Sequence, residues 1–106
     1  MIKIPKYAKQ YARKALEKRD KLQDYKKFGL DKEEAKVLGI NSGVERAKQI
    51  IRSNKLSKED TKRVAAFYNR FKNCKTEKCE GAIDLWGGRK FGRKLSSLVK
   101  KKDYKN

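Results

Sequence analysis

Three short polar boxes divide the middle of this chain into helix-sized pieces, and they constrain its fold more than any other feature. Each places a Ser or Asp three residues before an acidic side chain, a pattern typical of helix N-termini. The boxes are Asp31 to Glu34, Ser42 to Glu45 and Ser57 to Asp60. Gly29 precedes the first box and Gly39 follows it, as at helix ends. The boxes predict short helices joined by tight turns.

Apolar spacing predicts a longer helix before these boxes, from about Pro5 to Lys27. Its expected buried stripe consists of Tyr7, Ala8, Tyr11, Ala12, Ala15, Leu16 and Leu22. The helix that starts at Ser57 carries the richest aromatic stripe, formed by Val64, Phe67, Tyr68 and Phe71. We expect that stripe to be core and not a platform for stacking bases.

The sequence pattern of the C-terminal third predicts one helical turn and one further helix. Gly81 to Trp86 fits the turn, Gly87 and Gly88 fit an elbow, and Lys90 to Lys100 fits the last helix. That helix presents Phe91, Leu95, Leu98 and Val99 on one side. No segment shows the alternation of a strand. The whole pattern predicts an all-α, single-domain bundle of about five helices.

The expected organisation is a basic N-terminal helix over residues 1–28, a compact core over 29–100 and a basic tail over 101–106. The chain has 106 residues, of which 37% are hydrophobic, so one small core is the most it can build. No apolar run approaches the ~20 residues that span a bilayer, and no apolar signal-peptide core follows the first lysines. We therefore expect a soluble, unsecreted protein without a membrane partner.

Charge points to the kind of partner. The chain has 31 Lys and Arg against 13 Asp and Glu, a formal net charge of +18. So many positive charges repel one another in the compact state and attract polyanions, including nucleic acid and acidic protein surfaces. The alternative is a solvated basic surface. The residues predicted to contact a polyanion are Arg89, Lys90, Arg93, Lys94, Lys100, Lys101 and Lys102, together with Arg13 and Lys14 of the first helix.

The run Gly81 to Gly88 is almost uncharged and contains the only tryptophan, Trp86. A large ring beside two glycines suits either a packed corner or a knob that docks on a partner. For the docking hypothesis, the predicted partner-anchoring residues are Trp86, Phe91, Leu85, Gly87 and Gly88.

The inventory of reactive side chains argues against catalysis and against a metal site. The chain has no histidine and two cysteines, Cys74 and Cys79, which are five residues apart. We expect free thiols, with a disulfide as the alternative if the mature protein spends time outside cells. Asp84 is expected to cap a helix or pair with an arginine instead of acting as a base. The sequence therefore predicts a non-enzymatic protein with no metal and no cofactor.

A helix-turn-helix is a possible interpretation of residues 31–53. Ala35 and Gly39 have the spacing of that motif, and the second helix would offer Glu45, Lys48, Gln49 and Arg52 to the major groove. However, Glu45 occupies the position where the motif requires an apolar side chain. We therefore favour two capped helices that simply pack as a corner.

Four segments resemble a small module of tailed bacteriophages. They are Val44–Ile50, Leu56–Val64, Phe67–Arg70 and Ile83–Gly88, and the resemblance covers residues 43 to 92. In the module, a Leu-Ser-x-x-Thr helix start leads to Phe-Phe/Tyr-x-Arg and then to a Leu-Trp-Gly-Gly ending. Its usual form has an acidic residue after that ending and a longer spacer before it, whereas this chain has Arg89 there and the two cysteines in a short spacer.

The module travels with head and virion genes, so the resemblance implies a context and no chemistry. It predicts a virion structural protein, made in the host bacterial cytoplasm and associated with the capsid in many copies. Its expected partners are capsid or other virion proteins and packaged DNA, contacted through phosphates. The alternative is a small basic DNA-binding protein.

Overall fold

The computed structural model describes residues 2–23, 26–29, 31–38 and 42–101. Within these ranges the chain forms six helices and one pair of very short strands, which confirms the all-α prediction. The elements are β1 (Ile2–Lys3), α1 (Lys6–Lys21), α2 (Lys32–Leu38), α3 (Gly43–Arg52), β2 (Lys55–Leu56), α4 (Lys58–Phe71), α5 (Glu77–Leu85) and α6 (Arg89–Val99).

All three polar boxes begin helices, as predicted. Asp31 and Glu34 form a reciprocal capping box: the Glu34 amide donates to Asp31 Oδ1 at 2.8 Å, and the Asp31 amide donates to Glu34 Oε1 at 3.1 Å. Ser42 and Ser57 each accept a hydrogen bond from the amide three residues later, at 3.1 Å. The predicted stop at Gly39 lies outside the described residues.

Helix α1 ends at Lys21, six residues earlier than predicted. Leu22 is already extended, with φ −83° and ψ 151°. The buried Arg19 explains where the chain goes next, because its Nε donates to the carbonyl oxygen of Phe28 at 2.8 Å. This bond folds residues 26–29 back towards the helix and places Phe28 in the core.

The core is shared by both halves of the chain, so the predicted boundary at residue 29 is wrong. Helix α1 packs closely on α3 and α5, and α4 packs on α6. The fully or nearly buried alanines Ala8, Ala12 and Ala15 let the backbone of α1 approach its neighbours. The N-terminal helix is therefore part of the globule and not a basic extension of it.

The structure contains a strand pair that the periodicity did not predict. Ile2 and Lys3 pair antiparallel with Leu56 and Lys55, respectively. The next residue continues the contact, since the Ile4 amide donates to the Asn54 carbonyl at 2.8 Å. Two-residue strands leave too short an alternation to be recognised in a sequence.

The Gly87–Gly88 elbow is present where it was predicted, and it has the geometry of a Schellman helix ending. The Gly88 amide donates to the Ile83 carbonyl and the Gly87 amide to the Asp84 carbonyl, each at 3.0 Å. Gly87 has φ 102° and Gly88 has φ 90°, which residues with a Cβ rarely adopt. Helix α6 therefore starts directly after α5, with a sharp change of direction.

Candidate polyanion-binding surface

The apolar residues predicted to anchor a partner are buried in the globule. Leu85 and Phe91 are 0% exposed and Trp86 is 6% exposed. Gly87 and Gly88 are buried as well, against Phe91 and Tyr11. Buried side chains cannot fill a partner's pocket in this conformation. The docking-knob prediction is therefore wrong for the folded chain, and the run is the packed corner that was its alternative.

Trp86 is held between an aromatic ring and a guanidinium group. The Phe67 ring stacks on it with centroids 4.2 Å apart and planes 4° apart, and Arg46 Cζ lies 5.0 Å from the Trp86 ring centroid. The sequence did not single out Arg46, which is 8% exposed. The aromatic stripe of α4 thus contributes to the core, as predicted, because Phe67 covers the tryptophan.

Arg46 belongs to a polar network around Asp60. Arg46 and Arg63 each place a nitrogen 3.0 Å from Asp60 Oδ1, and Gln49 donates to Asp60 Oδ2 at 2.9 Å. Arg46 also donates to Gln49. Burial alone would raise the pKa of Asp60, but the hydrogen bonds from Gln49 and Arg46 lower it to about 2. Near neutral pH, the bonds from Arg46 and Gln49 to Asp60 link α3 to α4.

Arg89 is also committed to internal bonds, so its predicted role at a polyanion is corrected. Its guanidinium donates to the Lys72 carbonyl at 2.8 Å, to the Cys74 carbonyl at 3.1 Å and to both carboxylate oxygens of Glu80. The hydrogen bond from Arg89 lowers the pKa of Glu80. Arg89 thus fastens the loop before α5 to the start of α6.

The same loop contains a disulfide between Cys74 and Cys79, which corrects the preference for free thiols. The spacing of the cysteines alone did not decide between the two states, because only the start of α5 brings the two residues together. Thr76 caps that helix by accepting from the Cys79 amide at 3.2 Å, and the Cα atoms of the cysteines come within 6.0 Å of each other. The structure therefore selects the alternative that the sequence left open.

The other predicted polyanion contacts are exposed wherever the structure describes them; Lys102 lies outside the described residues. Exposed are Lys90, Arg93, Lys94, Lys100 and Lys101 on or after α6, and Arg13 and Lys14 on α1. In the described part of the chain, none of these seven cations lies within 4.0 Å of a carboxylate oxygen. Their charge is therefore available to an external anion.

Helical spacing and two contacts place some of these cations together. Lys90 Nζ lies 4.7 Å from the centre of the Tyr7 ring, and Gly88 packs against the Tyr11 ring. Tyr7, Tyr11, Lys14 and Lys18 follow one another along a single stripe of α1, at i, i+4, i+7 and i+11. We call the surface formed by Tyr7, Tyr11, Lys14, Lys18 and Lys90 the α1–α6 face.

The predicted set does not form one continuous site. Arg13 and Lys14 are successive residues, so they point about 100° apart around α1. The same holds for Arg93 and Lys94 on α6. The structure thus brings Lys14 and Lys90 to the α1–α6 face and directs Arg13 towards another side of the molecule.

The carboxyl group of Asp84 is electrostatically coupled to Lys18 of the α1–α6 face. Burial is the main reason that the pKa of the Asp84 carboxyl is raised to about 6; the Glu80 carboxylate adds to the rise, while Lys18 and Arg89 oppose it. Asp84 therefore carries most of its charge at neutral pH and loses it in mildly acidic solution. It is not placed as a cap or in a salt bridge among the described residues, contrary to the prediction.

The helix-turn-helix interpretation finds little support in the geometry. Its turn, residues 39–41, lies outside the described residues, and the described parts of α2 and α3 make few contacts with each other. Gln49, which was to face the major groove, is bonded to Arg46 and Asp60. Glu45 forms an ion pair with Lys48 at 3.6 Å. Three of the four proposed groove residues are thus engaged within α3 or with α4.

Residues 2–23, 26–29, 31–38 and 42–101 contain no cluster of three or more His, Cys, Asp or Glu side chains that could hold a metal ion. No helix in these ranges is long and apolar enough to cross a membrane. Comparison of the chain with family models, with curated proteins and with solved structures found no match. The function of the chain is therefore inferred from its own residues and their geometry.

Sequence reasoning missed Tyr11 of the α1–α6 face as a surface residue. Tyr11 was assigned to the buried stripe of α1 but is 45% exposed. The signal that could have identified it is the continuation of Tyr7 and Tyr11 into Lys14 and Lys18 at the same helical spacing. Two lysines on a stripe indicate solvent, so the tyrosines at its start lie at the edge of the core.

Proposed function

We propose that this protein is a non-enzymatic component of a bacteriophage particle that binds the phosphate backbone of nucleic acid. The observation that carries the proposal is the set of exposed lysines and arginines on α1 and α6 that have no carboxylate partner in the described part of the chain. A net charge of +18 is costly for a small globule unless a polyanion offsets it.

Because the predicted apolar anchors are buried, nucleic acid is a better supported partner than the capsid shell. A protein that docks on a capsid shell needs exposed apolar side chains at the centre of its interface. Trp86 and Phe91 were the candidates for that role, and both are core residues. The remaining surface is mainly charged, which suits nucleic-acid phosphates better than a specific protein pocket.

The virion context is supported only by the resemblance of residues 43 to 92 to the phage module. The same resemblance favours a second candidate function, binding to acidic surfaces of the capsid shell. Both candidates are binding roles served by the same basic surface, and they differ in whether the partner is the shell or its contents.

Affinity for DNA as a function of salt tests the first candidate. We expect fluorescence anisotropy to show binding to DNA of unrelated sequences with similar affinity, weakening steeply as salt rises. If about five phosphates are contacted, the logarithm of affinity should fall by roughly 4 to 5 per unit of log salt concentration for duplex DNA. No measurable binding at about 50 mM salt would overturn the proposal.

Mass spectrometry of purified particles separates the two candidates. A nucleic-acid-bound component should leave the particle together with its DNA when the DNA is released without a change of salt concentration. A shell component should instead remain at a fixed number of copies per major shell subunit. Absence from particles before DNA release would contradict both and leave only an intracellular DNA-binding role.

A further inference from the structure

We propose that the α1–α6 face binds single-stranded nucleic acid, with Tyr11 stacking on a base while Lys14 and Lys90 contact the phosphates on either side. This inference rests on the proposed function and specifies its ligand. It uses a residue that the sequence assigned to the core.

The Tyr11 ring is both exposed and held in position. It is 45% exposed, although it lies within the packed length of α1 between the buried Ala8 and Ala12. An ideal Cβ added to Gly88 would lie 2.8 Å from Tyr11 Cδ2 and 3.0 Å from Cγ. Only glycine therefore allows the ring to rest against the elbow. A ring that is already fixed loses little conformational freedom when a base stacks on it.

Positive charge surrounds this ring along both helices. Lys14 follows Tyr11 by three residues on the same stripe of α1, and Lys18 follows Lys14 by four. Lys90 lies over the Tyr7 ring, one helical turn before Tyr11. The carboxyl group of Asp84 interacts electrostatically with Lys18. A phosphate backbone that passes over Tyr11 would thus have lysines on both sides.

An exposed aromatic ring among lysines distinguishes a single strand from a duplex. In a duplex the faces of the bases are stacked on one another, so a surface tyrosine can reach only the phosphates and the groove edges. In a single strand each base can leave the stack and lie on the ring. If phosphates were the only ligand, the lysines alone would suffice, and Tyr11 would add nothing.

Paired substitutions at Tyr11 test the stacking. The probes are a fluorescein-labelled thymidine 20-mer and a labelled duplex of the same length, both titrated by anisotropy at one salt concentration. We expect Tyr11→Leu to weaken binding to the single strand roughly tenfold, the effect of losing one aromatic stack, and to leave duplex binding within about twofold. Tyr11→Phe keeps the ring and is expected to bind both probes like the unaltered protein.

Two neighbouring cations provide a matched test of the location. Lys14→Gln and Arg13→Gln each remove one positive charge, but Lys14 lies on the α1–α6 face and Arg13 points about 100° away. Lys14→Gln should reduce the slope of log affinity against log salt for the single strand by roughly 0.7, the value for one phosphate contact. Arg13→Gln should reduce that slope by less than Lys14→Gln does.

Three outcomes would each overturn a different part of the proposal. Equal weakening of both probes by Tyr11→Leu, with normal thermal unfolding, would overturn stacking while leaving phosphate binding intact. Equal effects of Lys14→Gln and Arg13→Gln would overturn the assignment to this face. Failure of the unaltered protein to bind either probe would instead overturn the proposed function itself.

Discussion

The two sides of the Gly87–Gly88 elbow use positive charge in opposite ways. On the inner side, Arg46 covers Trp86 and bonds to Asp60, and Arg89 bonds to Glu80 and to two backbone carbonyls. On the outer side, Lys14, Lys18 and Lys90 are exposed. A planar guanidinium can satisfy several acceptors at fixed angles, whereas an ammonium group is strongly hydrated and stays in water.

This comparison explains how so basic a chain folds. Mutual repulsion among its many exposed cations works against the fold. Arg46 and Arg89 are exceptions because each is matched by a carboxylate and further acceptors, which offsets the cost of partly removing a charge from water. Different cations therefore maintain the fold and bind the ligand. Substituting a cation of one group should change stability, and substituting a cation of the other should change affinity.

The largest effect is expected for Trp86→Ala, at the centre of the inner side. Removing the indole leaves a cavity between Phe67 and Arg46 and takes away the group that covers the guanidinium. We expect the free energy of unfolding to fall by about 3–5 kcal/mol, measured by urea denaturation. A variant that keeps its stability and loses only binding would restore the docking-knob hypothesis and remove the distinction between the two sides.

The next largest effect should come from Arg89→Gln. Glutamine cannot maintain the bonds to Lys72, Cys74 and Glu80 together, so the loop before α5 loses its attachment. Because the ion pair is partly exposed, we expect a loss of about 1–2 kcal/mol in the free energy of unfolding. Affinity for DNA should change little, since Arg89 is not available to phosphates.

Arg93→Gln is the matched control on the same helix. Arg93 is exposed and has no salt bridge in the described part of the chain, so its loss should change the free energy of unfolding by less than about 0.5 kcal/mol. The control should weaken DNA binding at low salt. Equal destabilisation by the two substitutions would contradict the division between structural and ligand-binding cations.

Local signals in the sequence predicted the helices well because each signal acts within a few residues. The capping boxes at Asp31, Ser42 and Ser57 and the glycines of the elbow need only their neighbours to determine the backbone. The end of α1 was not predictable in this way. It depends on Arg19 bonding to Phe28, nine residues further along the chain, and no propensity scale contains that contact.

The candidate site was predicted less well than the fold, for a related reason. Lysine and arginine look alike when charge is counted, so Arg89 was grouped with Lys90 and Lys94. Its actual role depends on acceptors at Lys72, Cys74 and Glu80, which only the folded chain brings within reach. Tyr11 was assigned to the core because its apolar spacing was counted without the lysines that continue the same stripe.

A smaller effect is expected from the pH dependence of the inner network. The folded-state pKa of Asp60 is about 2, below its ordinary value of 3.8. Its contribution to stability is therefore complete above pH 4 and is lost as the pH falls from 4 to 2. Solvent screening limits this contribution to about 1 kcal/mol. Thermal unfolding of the unaltered protein and of Asp60→Asn should converge over that window, and a constant difference would contradict the network's role.

A similarly small effect of opposite sign is expected from Asp84→Asn, because this carboxyl is electrostatically coupled to Lys18 of the outer side. The pKa of Asp84 is raised from 3.8 to about 6, so the ionised carboxylate is disfavoured in the folded state. Stability from this group is complete below pH 4 and is lost as the pH rises through 6. The amide should therefore stabilise the fold at pH 7.5 by less than about 1 kcal/mol after screening, and by nothing at pH 4.

Because the substitution also removes a negative charge beside Lys18, affinity for the single strand should rise about twofold at pH 7.5. Thermal unfolding and anisotropy at the two pH values measure both effects. A gain in stability that persists at pH 4 would show that packing, and not the charge of Asp84, is responsible.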